Sequence, residues 1–172
     1  MPDRRLKVLI AGGGTGGHLF PALAIGDELK KRVPGISIHY VGSRFGVESR
    51  QFPKRTEPFT LLNIRGFVRG LSLRGFLRNL IFPPRFVWAY MRCRRVVSRF
   101  DPDVVVGTGG YASGLPLLAA IHKGIPTAIH EQNSYPGFTT RWLSRKVDMV
   151  FLSYRESRQY LKKKNSYSRG IP

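Results

Sequence analysis

The chain is poor in acid, nearly devoid of cysteine and without a long apolar run. Its 172 residues hold 10 Asp and Glu against 29 Lys and Arg, a formal net charge of +19. The single cysteine, Cys93, excludes a disulfide within the chain and fits a reducing compartment. Cys93 lies among Arg92, Arg94 and Arg95, which can lower a thiol's pKa, yet no reactive-cysteine motif surrounds it and a packing role is expected. No apolar stretch approaches the roughly 20 residues a spanning helix needs, so membrane contact is expected to be peripheral. Residues 1–7 are short and charged and read as no secretory signal. The shortage of acid is local as well as global: residues 58–100 contain none. Such a balance points to a polyanionic partner, whether nucleic acid, an anionic membrane surface or a phosphorylated substrate, and composition does not choose among them.

What is present is alternation. Residues 6–11 form an apolar, β-branched run that reads as a buried strand. Gly12 to Gly17 then reads as a glycine loop, followed by a helix from about Phe20 to Val33 that ends at Pro34-Gly35. A second strand is expected at 36–41, which makes a strand–loop–helix–strand unit with parallel strands and a right-handed crossover. Further strands are expected at 59–64, 103–106, 125–130 and 147–152. Further helices are expected at 84–100, 112–122 and 138–145, with a polar helix after Ser153. The fold class is therefore α/β: one domain over residues 1–172 with a doubly wound, mainly parallel, Rossmann-like sheet. Such sheets bind ligands outside the carboxyl ends of their strands.

The informative loops sit at those ends. Gly12, Gly14 and Gly17 satisfy the G-x-G-x-x-G dinucleotide pattern between a strand and a helix. The acid that would meet a ribose is missing, because the second strand ends Val41-Gly42-Ser43-Arg44. NAD is disfavoured, while Arg44 could meet a 2′-phosphate and keeps an NADP-binding oxidoreductase domain as an alternative. Tight turns need some of these glycines in any reading. His18 follows Gly17 directly. A hydride-transfer site has no use for an imidazole there, whereas a group-transfer site needs a base for the attacking hydroxyl. Thr108, Gly109, Gly110 and Tyr111 form a second strand-to-helix loop whose N–H groups could bind phosphate. Two such loops suggest a diphosphate, although turn geometry explains either one taken alone. His130-Glu131-Gln132-Asn133 is a polar run leaving a buried strand, without a metal-ligand pattern. Glu131 is the one carboxylate in these loops and the competing base.

The acid-free segment interleaves arginines with apolar residues, among them Ile81, Phe82, Arg85, Phe86 and Trp88. Basic plus aromatic is the signature of an interfacial element on anionic lipid. Single-stranded nucleic acid would use the same residue types, so a basic nucleic-acid module is a further alternative. A helix with a solvated basic face explains part of the segment.

Taken in order, Gly12-Gly13-Gly14-Thr15-Gly16-Gly17-His18, Gly107-Thr108-Gly109-Gly110-Tyr111 and His130-Glu131-Gln132-Asn133 resemble the MurG family over essentially the whole chain. That family comprises the N-acetylglucosaminyltransferases that complete the lipid-linked peptidoglycan precursor. The resemblance implies a GT-B fold of two Rossmann-like domains, of which this chain is the N-terminal, acceptor-binding one. The C-terminal, donor-binding domain is then absent from the chain, which is expected to be inactive by itself. It also implies UDP-N-acetylglucosamine as donor and an undecaprenyl-diphosphate-linked muramoyl-pentapeptide as acceptor. The transfer would be inverting, with no metal, no cofactor and no nucleic-acid partner. The location would be peripheral, at the cytoplasmic face of the bacterial inner membrane, with the basic-apolar segment as the associating face.

Residue by residue, Thr15, Gly16, Gly17 and Asn133 match positions near the donor, and His18 matches the base. The glycine loops, with Gly13, Gly14, Thr108, Gly109 and Gly110, would face the acceptor diphosphate. Tyr111, His130 and Glu131 match other residues of the cleft. Two departures stand out. Thr140 occupies a position where the family often has Asn, and the terminal Gly170-Ile171-Pro172 resembles an interdomain Gly-Asn-Pro with Ile in place of Asn.

Overall fold

The computed structural model describes residues 5–65, 82–161 and 166–168; for 82, 83 and 166–168 the description is of the backbone. Among the described residues, seven strands form one sheet: β1 (Lys7–Ala11), β2 (Ser37–Ser43), β3 (Phe59–Leu62), β4 (Val104–Gly107), β5 (Thr127–Glu131), β6 (Met149–Leu152) and β7 (Ser166–Ser168). Their order is β3-β2-β1-β4-β5-β6-β7, and every neighbouring pair is parallel. The helices are α1 (Gly16–Arg32), α2 (Glu48–Gln51), α3 (Phe82–Phe100), α4 (Gly110–Ile121) and α5 (Phe138–Leu143).

Successive side chains of a strand point to opposite faces, and β1 shows what that does here. Val8 and Ile10 join a core with Leu19 and Ala22 of α1 and Tyr40 of β2. Leu9 and Ala11 join the opposite core with Val41, with Cys93 and Val97 of α3 and with Leu117 of α4. Both faces are covered, as a parallel sheet requires. Helix α3 docks through Ala89, Cys93 and Val97, four residues apart on one stripe. Cys93 is thus a core residue, and burial pushes its thiol up to about 12. Arg92, Arg94 and Arg95 are exposed on the other faces of the helix, so they do not activate it.

The chain runs outward from β1 through β2 to β3, then returns to lay β4 on the other side of β1. The strand order reverses between β1 and β4, and at such a switch point the crevice beyond the carboxyl ends opens. The two glycine loops leave these two strands.

The structure corrects several expected boundaries. Helix α1 begins at Gly16, not near Phe20. The left-handed backbone of the turn is confined to Gly13 (φ 146°) and Gly14 (φ 90°), and Thr15 is already the N-cap. Gly16, Gly17 and His18 therefore lie on the first helical turn rather than in the loop. Strand β6 starts at Met149 because Lys146 and Val147 still donate to the Leu143 carbonyl and extend the helical turn. The polar segment after Ser153 forms a 3₁₀ turn (Arg155–Tyr160) instead of an α-helix, and β7 follows it unexpected. Among the described residues, no helix is long and apolar enough to cross a membrane.

Candidate active site at the switch point

The two glycine loops pack against each other, backbone to backbone. A Cβ on Gly110 (φ 71°) would strike the Gly13 carbonyl, and one on Gly12 would strike Thr108. The Thr108 N–H donates to the Ala11 carbonyl (2.9 Å), and its hydroxyl donates to the His18 carbonyl (2.7 Å). The first turn of α1 is thereby tied to the end of β4.

His18 is the side chain at the centre of this junction. Its Nδ1 lies 3.0 Å from the Thr108 carbonyl and 3.3 Å from Gln132 Oε1. A Cβ on Gly109 would come within 2.8 Å of that Nδ1, and one on Gly110 within 3.1 Å of Cδ2. The second glycine loop is a seat for the imidazole ring, because no side chain fits between them.

The first loop is filled differently. Glu48 is fully buried, and its carboxylate accepts the Gly14 N–H at 2.8 Å (Oε2) and 3.0 Å (Oε1). It also accepts the Ser43 N–H at 2.7 Å. A Cβ on Gly13, Gly42 or Gly46 would run into the Glu48 side chain. No sequence motif marks Glu48. The available signal was an acid standing by itself between Glu28 and Glu57, two residues after the Gly42…Gly46 pair.

The polar run after β5 splits its duties. Glu131, 1% exposed, turns into its own loop. Oε1 takes the Asn133 N–H (3.1 Å) and Nδ2 (2.7 Å), and Oε2 takes the Gly137 N–H (3.3 Å). The Asn133 amide is therefore held by Glu131. Gln132 reaches the other way: its Nε2 lies 2.9 Å from both the His130 carbonyl and His130 Nδ1. Burial holds His130 below the usual imidazole value, with Glu131 pulling the opposite way. Gln132 is the second residue that the motif reading left without a role.

Tyr111 packs over Gly14 and lines an apolar pocket of about 190 Å³ with Ile64, Phe86, Leu115, Phe138 and Trp142. On α3, Trp88 is 60% exposed, Arg85 is half-buried and Phe86 leans on the core. These residues stand on a different element from the glycine loops. Ile81 and the side chain of Phe82 lie outside the described residues.

A parallel, doubly wound sheet with polar loops gathered at the β1–β4 switch point defines a Rossmann-like ligand-binding domain. Residues 8–152 match the glycosyltransferase family 28 N-terminal domain, and the chain belongs to that family. A relative from Chlorobaculum tepidum, named UDP-N-acetylglucosamine--N-acetylmuramyl-(pentapeptide) pyrophosphoryl-undecaprenol N-acetylglucosamine transferase, is 48% identical over 155 residues, covering 90% of this chain and 43% of the relative. A relative of the same name from Chlorobaculum parvum is 45% identical over 168 residues, covering 97% of this chain and 46% of the relative. Among solved structures, MurG of Acinetobacter baumannii superposes with a TM-score of 0.79 at 29% identity, over 97% of this chain and 46% of that one. The chain thus spans less than half the length of these relatives. The resemblance to the MurG family is borne out. The oxidoreductase and nucleic-acid alternatives are not favoured, and the Gly14 N–H that a pyrophosphate would use is already given to the Glu48 carboxylate.

Proposed function

We propose that this chain is the acceptor-binding half of an inverting glycosyltransferase of peptidoglycan synthesis. Its donor is UDP-N-acetylglucosamine, and its acceptor is the undecaprenyl-diphosphate-linked muramoyl-pentapeptide. The donor-binding half is a second domain outside this chain. The observation that carries the reading is the contact between His18 Nδ1 and the Thr108 carbonyl. A carbonyl only accepts, so Nδ1 bears the proton and Nε2 offers its lone pair. The acceptor hydroxyl gives its proton to Nε2, its oxygen bonds to the anomeric carbon, and UDP leaves with the electron pair of the broken bond.

Gly109, Gly110 and Tyr111 open helix α4, whose N-terminal amides suit the acceptor diphosphate. Gly13 and Gly14 serve that role less well, because the Gly14 N–H already serves Glu48. Thr15, Gly16 and Gly17 open α1 on the side proposed for the donor, and Asn133 borders it. Glu131 supports its loop and is not the base in this reading. In a protein carrying both halves, His18→Ala lowers kcat by about 10²–10⁴-fold and leaves UDP-N-acetylglucosamine affinity nearly intact. A change confined to the acceptor KM, with an unaltered thermal melt, would make His18 a binding residue instead.

Helix α3 is proposed to rest on the anionic cytoplasmic face of the inner membrane. It exposes Val87, Trp88 and Met91 beside Arg92 and Arg95. Vesicle co-sedimentation checks this: anionic vesicles bind the chain more strongly than neutral ones, salt weakens the binding, and Trp88→Ser reduces it. Equal binding to both vesicle types would count against it.

A further inference from the structure

We propose that Gln132 is the positioning residue of His18: its amide oxygen holds the imidazole Nδ1–H, and the His130 backbone carbonyl dictates which end of the amide faces His18. The inference rests on the reading of His18 as the base.

One end of the Gln132 amide lies 2.9 Å from the His130 carbonyl. A carbonyl cannot donate, so that end is the NH₂. The other end is then the oxygen, 3.3 Å from His18 Nδ1. Nδ1 thus faces two acceptors, this oxygen and the Thr108 carbonyl at 3.0 Å. Neither can supply a proton, so Nδ1 carries its own in both charge states of the ring. Nε2 is left as the nitrogen that can take a proton from a hydroxyl. The same chain orders His130. Its Nδ1 receives the second hydrogen of the Gln132 NH₂ at 2.9 Å, so the ring proton sits on Nε2, which points to Ser153 Oγ at 3.4 Å. Burial favours the neutral form of His130, the form that can accept.

A neutral amide suits this duty. As His18 takes up a proton, the Gln132 oxygen faces the growing positive charge and stabilises it, as the orienting group of a catalytic triad does. A carboxylate there would favour the protonated ring more strongly. The titratable groups around His18 are His130 beyond Gln132, Tyr111 against Gly14, Glu48 beneath Gly13 and Gly14, and Glu131 at the root of the Gln132 loop.

The test has two arms. The first is imidazole ¹⁵N NMR of the 172-residue chain, whose four histidines are assigned by single replacements. His18 is expected as the Nδ1–H tautomer and His130 as the Nε2–H tautomer. The opposite tautomer at His18 overturns the proposal, and this arm needs no Gln132 variant to fold. The second arm is the pH profile of kcat/KM in a protein carrying both halves. Gln132→Glu moves the acidic limb upward by about one pH unit or more. Gln132→Leu lowers kcat about tenfold, the effect of one lost hydrogen bond, with little change in acceptor KM. A merely structural Gln132 would alter the melt and leave the acidic limb in place, and that result overturns the proposal. If His18→Ala retains kcat, the reading of His18 as base falls, while the tautomer signals still decide the orientation of Gln132.

Discussion

The loops after β1 and β4 have similar glycine content, and the chain fills them with opposite chemistry. Gly13 and Gly14 close around a buried carboxylate, Glu48, which arrives from the start of α2. Gly109 and Gly110 close around an imidazole, His18, which arrives from the first turn of α1. In both cases a glycine is needed because another residue occupies the space of its Cβ, and because φ is positive. A glycine loop thus marks a place where something approaches closely, and it does not say what. Here the first loop is an internal anchor, while the second presents the nitrogen proposed to do chemistry.

If that division is right, equivalent substitutions in the two loops separate catalysis from stability. Gly109→Ala pushes a methyl group against His18 Nδ1 at a φ of 94°. It should lower kcat by the same order as losing the base, about 10²–10⁴-fold, in a protein carrying both halves. Near-normal turnover would show that the seat is not needed.

Gly13→Ala and Glu48→Ala should act on the melt instead. Removing the carboxylate leaves the buried Ser43 N–H without an acceptor, at about 1–3 kcal/mol, and unties the half-buried Gly14 N–H as well. Chemical denaturation of the chain measures this, and an unchanged midpoint for Glu48→Ala would remove the anchor from the account. Gly124→Ala calibrates both, since its φ is 67° with nothing within 4 Å. It should cost only the left-handed backbone, about 1–2 kcal/mol.

Much of the architecture was legible beforehand because its signals are local. The apolar run at β1 alternates between two cores, and the stripe Ala89, Cys93 and Val97 repeats at helical spacing. Boundaries were less legible where one turn conformation passes into another. Thr15 begins α1 earlier than the apolar pattern suggested, because glycines on a first turn carry no periodic signal. His18 stood out through its neighbours in sequence. Glu131 stood out too, but its orientation did not: a carboxylate in a polar loop can face a ligand or its own backbone, and here it faces Asn133 and Gly137.

The parallel sheet, the two loops at its carboxyl edge and the family follow from the spacing of residues close together in the chain. Tertiary structure decided what those loops enclose. Glu48 meets Gly14 across 34 positions, and Gln132 meets His18 across 114. The first depends on β2 lying beside β1, and the second on β4 and β5 following in order on its other side. No local pattern encodes that arrangement, because it comes from the packing of the whole sheet.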